Sequence, residues 1–221
     1  MSKTISRLFD SHADAMQAVT ELERSGIDHD KISLVSNNAD NWHAGHVHDL
    51  NRPGEGGALG DRNGDGENDV ADGAGKGAAT GGLVGGGAGL LAGLGMLAIP
   101  GLGPVVAAGW LTATAVGAAV GAAAGGATGG LLGALKEAGH TDEEANVYSE
   151  GVRRGGTLVS VKVHDNEEAE AQAILDGRGV SAEVRGATFR DRDWSRFDAD
   201  APNYTAEDVA RERAYWAQMR V

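Results

Sequence analysis

From Gly77 to Leu135 no residue carries a charge, and within that stretch glycine recurs at every fourth position. One series comprises Gly77, Gly81, Gly85, Gly89 and Gly93; a second comprises Gly117, Gly121, Gly125, Gly129 and Gly133, extended upstream by Gly109 and Ala113. A period of four aligns these residues on one helical face, where missing side chains let a second helix approach closely. Glycine inside a helix costs about 1 kcal/mol relative to alanine, so such a series requires a packing partner to offset it. Ile99-Pro100-Gly101-Leu102-Gly103-Pro104 interrupts the stretch with turn-forming residues. The expectation is a glycine-zipper α-helical hairpin over residues 77–136, with arms at 77–99 and 104–135 of about 35 Å and about 48 Å. Either arm exceeds the roughly 30 Å of a bilayer's hydrocarbon core. Lys76, Lys136, Arg153 and Arg154 lie at the ends that would stay cytoplasmic, and Trp110 near the turn is placed as an interface anchor. Two destinations stay open: the core of a homo-oligomer, or the inner membrane through residues 77–135.

The rest of the chain narrows the chemistry. With 36 glycines and 5% aromatic residues among 221, the compact part must be smaller than the whole. A net charge of -13 argues against a nucleic-acid partner, whose phosphates require clustered cations. The absence of cysteine excludes disulfides, thiolate metal sites and thiol nucleophiles. The opening residues, Met1 to Arg7, lack the apolar run of a secretory signal, so the expected location is cytoplasmic.

Both flanks of the glycine stretch read as βαβ. Residues 4–9 predict a strand. Ser11 with Asp14 starts a helix carrying Ala15, Met16, Val19 and Leu22, Gly26 ends it, and Ile32, Leu34 and Val35 predict a second strand. Near the other end Leu158, Val159, Val161 and Val163 predict a strand, and Asp165 with Glu168 a helix start. Ala169, Ala173, Ile174 and Leu175 continue that helix, and Gly179 ends it before a short strand at 181–185. The fold class expected is α+β: a ferredoxin-like split βαβ sheet interrupted by the glycine-zipper hairpin. The divisions are a first βαβ half (1–38), an acidic Gly-rich linker (39–76), the hairpin (77–136), a linking helix and second half (140–187), and an aromatic, charged tail (188–221). Thr141 with Glu144 caps the linking helix, and Thr205 with Asp208 caps a last helix from Ala206 to Met219 whose Val209, Tyr215, Trp216 and Met219 predict docking.

Two stretches carry a family likeness: Ala98-Ile-Pro-Gly-Leu-Gly-Pro-Val-Val-Ala-Ala-Gly-Trp-Leu111 and Glu144-Ala-Asn-Val-Tyr-Ser-Glu-Gly-Val-Arg-Arg-Gly-Gly-Thr-Leu-Val-Ser-Val161. Here the chain resembles the bacterial general stress protein family, the low-temperature-induced group, over most of residues 3–186. The resemblance implies a stress role with no assigned reaction, cofactor or catalytic residue.

Binding motifs are few. Asp61, Asn63, Asp65, Asp69 and Asp72, with Gly66 at the sixth position, match the oxygen spacing of a calcium loop. Asn68 replaces the usual apolar residue, Asp72 the usual Glu, and an acidic linker produces such matches by composition. His43, His46, His48 and Asp49 follow Trp42 and offer a transition-metal set without a rigid frame. His12, His29, His140 and His164 are expected as solvated surface residues. Arg153-Arg154-Gly155-Gly156 reads either as an anion site or as a helix end whose cations complement the dipole. Glu143-Glu144 and Glu167-Glu168 fit helix starts, and no nucleophile elbow, P-loop or zincin motif occurs. The function expected is a non-catalytic, self-associating stress protein; the alternatives are a membrane-inserted hairpin with a cytoplasmic sensor domain, and a calcium- or metal-responsive binding protein.

Overall fold

The first strand, β1 (Ser2–Phe9), is followed closely by Ser11, whose hydroxyl accepts a hydrogen bond from the Asp14 amide and starts α1 (His12–Arg24). The computed structural model describes residues 2–43, 94–99, 101–115 and 130–219. Gly26, at φ 93°, follows the end of α1, and a 3₁₀ turn at His29–Lys31 leads into β2 (Ile32–Asn37). Beyond it come β3 (Gly95–Ile99), β4 (Gly103–Gly109) and a helical stretch at 110–115. Next are α2 (Leu131–Glu137) and α3 (Asp142–Arg153). The chain continues with β5 (Thr157–His164), α4 (Glu168–Asp176), α5 (Ala182–Arg190) and α6 (Ala206–Met219).

These elements make a mixed α+β fold. The sheet order is β1-β5-β2-β4-β3, every neighbouring pair antiparallel, and Val180 adds a one-residue bridge to Leu8 on the outer side of β1. The last strand in sequence, β5, sits between the first two. Because side chains alternate along a strand, Leu8 and Phe9 serve opposite faces. Phe9, Leu34, Val159 and Val161 pack with Val19 and Leu22 of α1 and Ala171 and Leu175 of α4. On the other face Leu8, Val35, Val105 and Leu158 pack with Leu135, Val147, Tyr148 and Val152 of α2 and α3, and with Phe189 and Trp216 of α5 and α6. Fully burying each Val, Leu or Phe contributes about 1.5–3 kcal/mol.

Parts of the two zipper arms are corrected, while residues 110–115 and 131–135 of the second arm are helical. Residues 95–99 and 104–109, expected in helical arms, belong to a β-hairpin whose turn uses Gly101 and Gly103 at positive φ. The cause is long-range: β2 has an edge to fill, and the β-branched Val105 and Val106, both fully buried, pair with Asn37 and Ser36. Gly109 belongs to that pairing and not to a helix face. Its φ is 88°, and a Cβ there would lie 2.3 Å from the Ile32 carbonyl oxygen, so close approach to β2 requires a glycine. Of the zipper positions, Gly133 lies in α2, while Gly77, Gly81, Gly85, Gly89, Gly93, Gly117, Gly121, Gly125 and Gly129 lie outside the described residues. Among the described residues no helix is long and apolar enough to cross a membrane. The Trp110 indole donates to the Lys31 carbonyl at 3.0 Å, with Lys162 Nζ over its ring at 3.9 Å.

Two further expectations change. The strand at 181–185 is the first half of α5: Ser181 accepts from the Val184 amide and caps a helix, leaving Val184 60% exposed where an alternating strand would bury it. Asp165 does not cap α4, which starts after Glu167; there the carboxylate of Glu167 instead accepts from the His164 amide at 2.8 Å.

Candidate functional site

The ends of β1 and β2 and the start of β5 meet at one end of the sheet, and polar residues gather there. Ser36 and Thr157, side by side in β2 and β5, are both buried, and their hydroxyls lie 2.7 Å apart. His12, in the first turn of α1, places Nδ1 2.7 Å from both hydroxyls. Its Nε2 is 2.6 Å from a guanidinium nitrogen of Arg213, which arrives from α6. Arginine only donates, so Nε2 must be the bare acceptor and the ring proton sits on Nδ1, directed at the two hydroxyls. Arg213 also donates to the Gly155 carbonyl at 3.1 Å and pairs with Asp40. Trp42 stacks on the imidazole with ring centroids 4.2 Å apart. His12 is therefore an internal hub joining five segments, and not the solvated residue the sequence suggested.

Burial first, and the Arg213 cation second, lower the His12 pKa to about 4, against the opposing pull of Asp40. An unfolded chain would protonate this ring near 6.5. Between those values the unfolded state binds a proton that the folded state refuses, so His12 stabilises the fold fully above about pH 6.5 and loses that contribution as pH falls toward 4. The span from 6.5 to about 4 corresponds to at most about 3 kcal/mol. Urea unfolding measured from pH 7 to 4 is expected to show this decline, and His12→Asn to flatten it; an unchanged slope in the variant would remove His12 as the source.

Beside this hub lies an internal cluster of three charges. Glu150 of α3 is fully buried and accepts from Arg153 Nε and Nη2 at 3.0 Å each and from Arg154 Nε at 2.6 Å. The two cations stack outward on aromatic rings, Arg154 over Phe189 at 4.6 Å and Arg153 over Tyr204 at 5.3 Å. The Arg153-Arg154-Gly155-Gly156 segment thus holds an anion, and that anion is the chain's own carboxylate. Gly155 turns the chain at φ 103° directly under Val209 of α6, where a Cβ would meet the valine side chain at 2.5 Å. Glu212 receives Arg192 through two bonds of 2.8 and 2.6 Å, and Trp216 lies under Arg185 at 3.7 Å. Arg185 is itself bonded to Asp10 at 2.7 Å. The space left beneath α6, bounded by Arg154, Arg185, Arg213 and Trp216, is about 10 Å³, room for about one water molecule.

A third constellation has the order nucleophile, base, acid. Ser6 Oγ lies 2.8 Å from His140 Nε2, and His140 Nδ1 lies 3.7 Å from Glu144 Oε2. Its geometry serves structure. Ser6 is 1% exposed and also bonds Ser160 Oγ at 2.7 Å, while Glu144 Oε2 accepts from the Thr141 amide and hydroxyl at 2.8 and 3.0 Å in a capping box. A separation of 3.7 Å is no hydrogen bond. Burial lowers the His140 pKa, so this histidine too departs from the solvated expectation. Tyr148 donates to the Ser6 carbonyl at 2.6 Å, and burial pushes its hydroxyl up to about 12. Next to this network an open groove of about 230 Å³ follows β1 between His140, Glu144 and Tyr148 on one wall and Glu168 and Gln172 on the other.

Of the residues singled out for metal, Asp61, Asn63, Asp65, Asp69 and Asp72, with His46, His48 and Asp49, lie outside the described residues. His43 is described, its amide accepted by the Asn38 side chain at 3.1 Å. Among the described residues no three His, Asp or Glu side chains converge to hold a metal ion. The hub of His12, Ser36, Thr157 and Arg213 is invisible to local reading because its members come from four distant parts of the chain; the clue was polar residues inside apolar strands. No protein-family model, curated protein or solved structure matches this chain.

Proposed function

We propose that this chain is a non-catalytic general stress protein that self-associates, with a ferredoxin-like sheet as its rigid body. The reading rests on the uncharged, period-four glycine series at Gly77 to Gly93 and Gly117 to Gly129, a pattern that requires close helical partners. The order Val180, β1, β5, β2 with α1 and α4 on one face supports the ferredoxin-like assignment, which β4 and β3 extend. The non-catalytic part is supported by the three polar constellations, each of which satisfies its own groups: the Ser36 and Thr157 hydroxyls by His12, the Glu150 carboxylate by two arginines, and Ser6 by Ser160 and His140.

Sedimentation velocity of the full chain, alone and with Gly85, Gly89, Gly121 and Gly125 changed to Leu, tests the association. The expected result is a multi-subunit particle that falls to a dimer or monomer in the variant. An unchanged particle would overturn the role of the glycines, and retention of the native protein in a carbonate-washed membrane pellet would replace association with insertion.

A further inference from the structure

The outer edge of β1 presents main-chain groups to the open groove. Leu8 exchanges both its N–H and C=O with Val180, at 3.0 and 2.8 Å, and that bridge is the sole pairing on this side among the described residues. In an antiparallel ladder alternate residues turn their main-chain groups to the same side. Leu8 faces outward, so Ser6, Thr4 and Ser2 face outward too, and Lys3, Ile5 and Arg7 bond inward to β5. Tyr148 closes the Ser6 carbonyl. The remaining outward groups, centred on Thr4, lie along the floor of the groove, which is open to solvent.

We propose that this edge pairs with β1 of a second copy, antiparallel about a two-fold axis at Thr4, joining two five-stranded sheets into one of ten. The argument for a second copy is charge. The groove walls carry Glu144 and Glu168, and Asp176 lies further along α4; all three are acidic. The charged side chains of β1 are Lys3 and Arg7, already complementary to that helix: Lys3 bonds Glu168 at 2.8 Å and Arg7 bonds Asp176 at 2.5 Å. An antiparallel second β1 brings Lys3 of the second copy across from Ile5, beside the same acidic helix, and the two-fold repeats that contact. Centring on Thr4 lets the two Thr4 residues exchange N–H···O bonds and sets Ser6 opposite Ser2 of the other copy, where the Ser6 amide donates to the Ser2 carbonyl while the Ser6 carbonyl keeps Tyr148 and Arg7 as its donors. Lysine at a sheet edge ordinarily discourages pairing; here α4 carries Glu168, Glu170 and Asp176 with no basic residue, one acid more than Lys3 and Arg7 of its own chain neutralise. The inference deepens the proposed self-association but uses a surface separate from the glycine series.

The chain contains no cysteine, so one introduced thiol reports one contact. Directly opposed residues in a hydrogen-bonded antiparallel pair have Cα atoms about 5.5 Å apart, within disulfide range. Thr4→Cys is expected to cross-link to a covalent dimer under mild oxidation at least tenfold faster than Glu183→Cys on the exposed face of α5. Equal rates would overturn the pairing. Thr4→Pro deletes the outward N–H while sparing the ladder to β5, a position where an edge strand tolerates proline. It is expected to halve the sedimenting mass in the background where Gly85, Gly89, Gly121 and Gly125 are Leu, with the circular dichroism unchanged. Failure of the glycine reading leaves particle size indifferent to the leucines but still sensitive to Thr4→Pro; failure of the edge pairing leaves Thr4→Pro without effect in either background. Should Thr4→Pro unfold the chain, the cysteine rates decide.

Discussion

Glu150→Ala is expected to lower the free energy of unfolding by about 3–5 kcal/mol, because in a low-dielectric site it takes from Arg153 its carboxylate and leaves Arg154 only Glu212, at 3.9 Å. The carboxylate is fully buried, and the Arg153 and Arg154 side chains are 11% and 10% exposed, so water cannot replace what is removed. Both cations lie over aromatic rings, which attract them weakly but supply no hydrogen-bond acceptors. The exposed pair Lys136 and Asp142 is the internal control: Asp142→Ala should cost roughly 0–1 kcal/mol, as surface pairs do. Urea titration of both variants at neutral pH measures the difference. A Glu150→Ala midpoint equal to that of Asp142→Ala would mean that the arginines find other partners.

Trp216→Ala is expected to cost roughly 3–5 kcal/mol, with its first effect local to α6. Trp216 is 9% exposed and touches Phe189, Tyr215 and Arg185, while Val209 fills the hollow over Gly155. With the indole gone, α6 retains Val209 and the ion pairs of Glu212 and Arg213, too little to hold a helix closed. Limited trypsin digestion should then cut at Arg211 or Arg213 while the sheet stays protected. A variant as resistant as the parent would show that the ion pairs hold α6 by themselves.

The parts of this fold legible in the sequence are those written locally. Ser11, the Thr141 and Glu144 box, and Thr205 with Asp208 each cap the helix they announced, because capping is decided within four residues. Strands β2 and β5 declared themselves through runs of Ile, Leu and Val. The hairpin of β3 and β4 did not, since a glycine period of four looks helical until the unfilled edge of β2, some seventy residues upstream, is taken into account. Val180, Ala182 and Val184 alternate like a strand, yet Ser181 and the helix-forming residues after it prevail. The His12 hub was hidden for the same reason as the hairpin: Thr157 and Arg213 are distant in sequence and meet His12 only when the chain folds. The calcium and imidazole motifs were conspicuous in composition, and the polar residues that the fold brings together were not.

The central place of β5 also dictates an order of events during synthesis. β1 and β2 are not hydrogen-bonded to each other; β5 lies between them, and it begins only at Thr157. At about 5–20 residues per second a ribosome takes roughly ten to thirty seconds to pass from β1 to that point. Throughout that interval Leu8, Phe9, Ile32 and Leu34 have been made without the strand that covers them. A nascent chain stalled before residue 157 therefore presents two apolar strands with unfilled edges, the form most open to capture by chaperones or to aggregation. Completion of a single late strand turns those loose segments into a sheet.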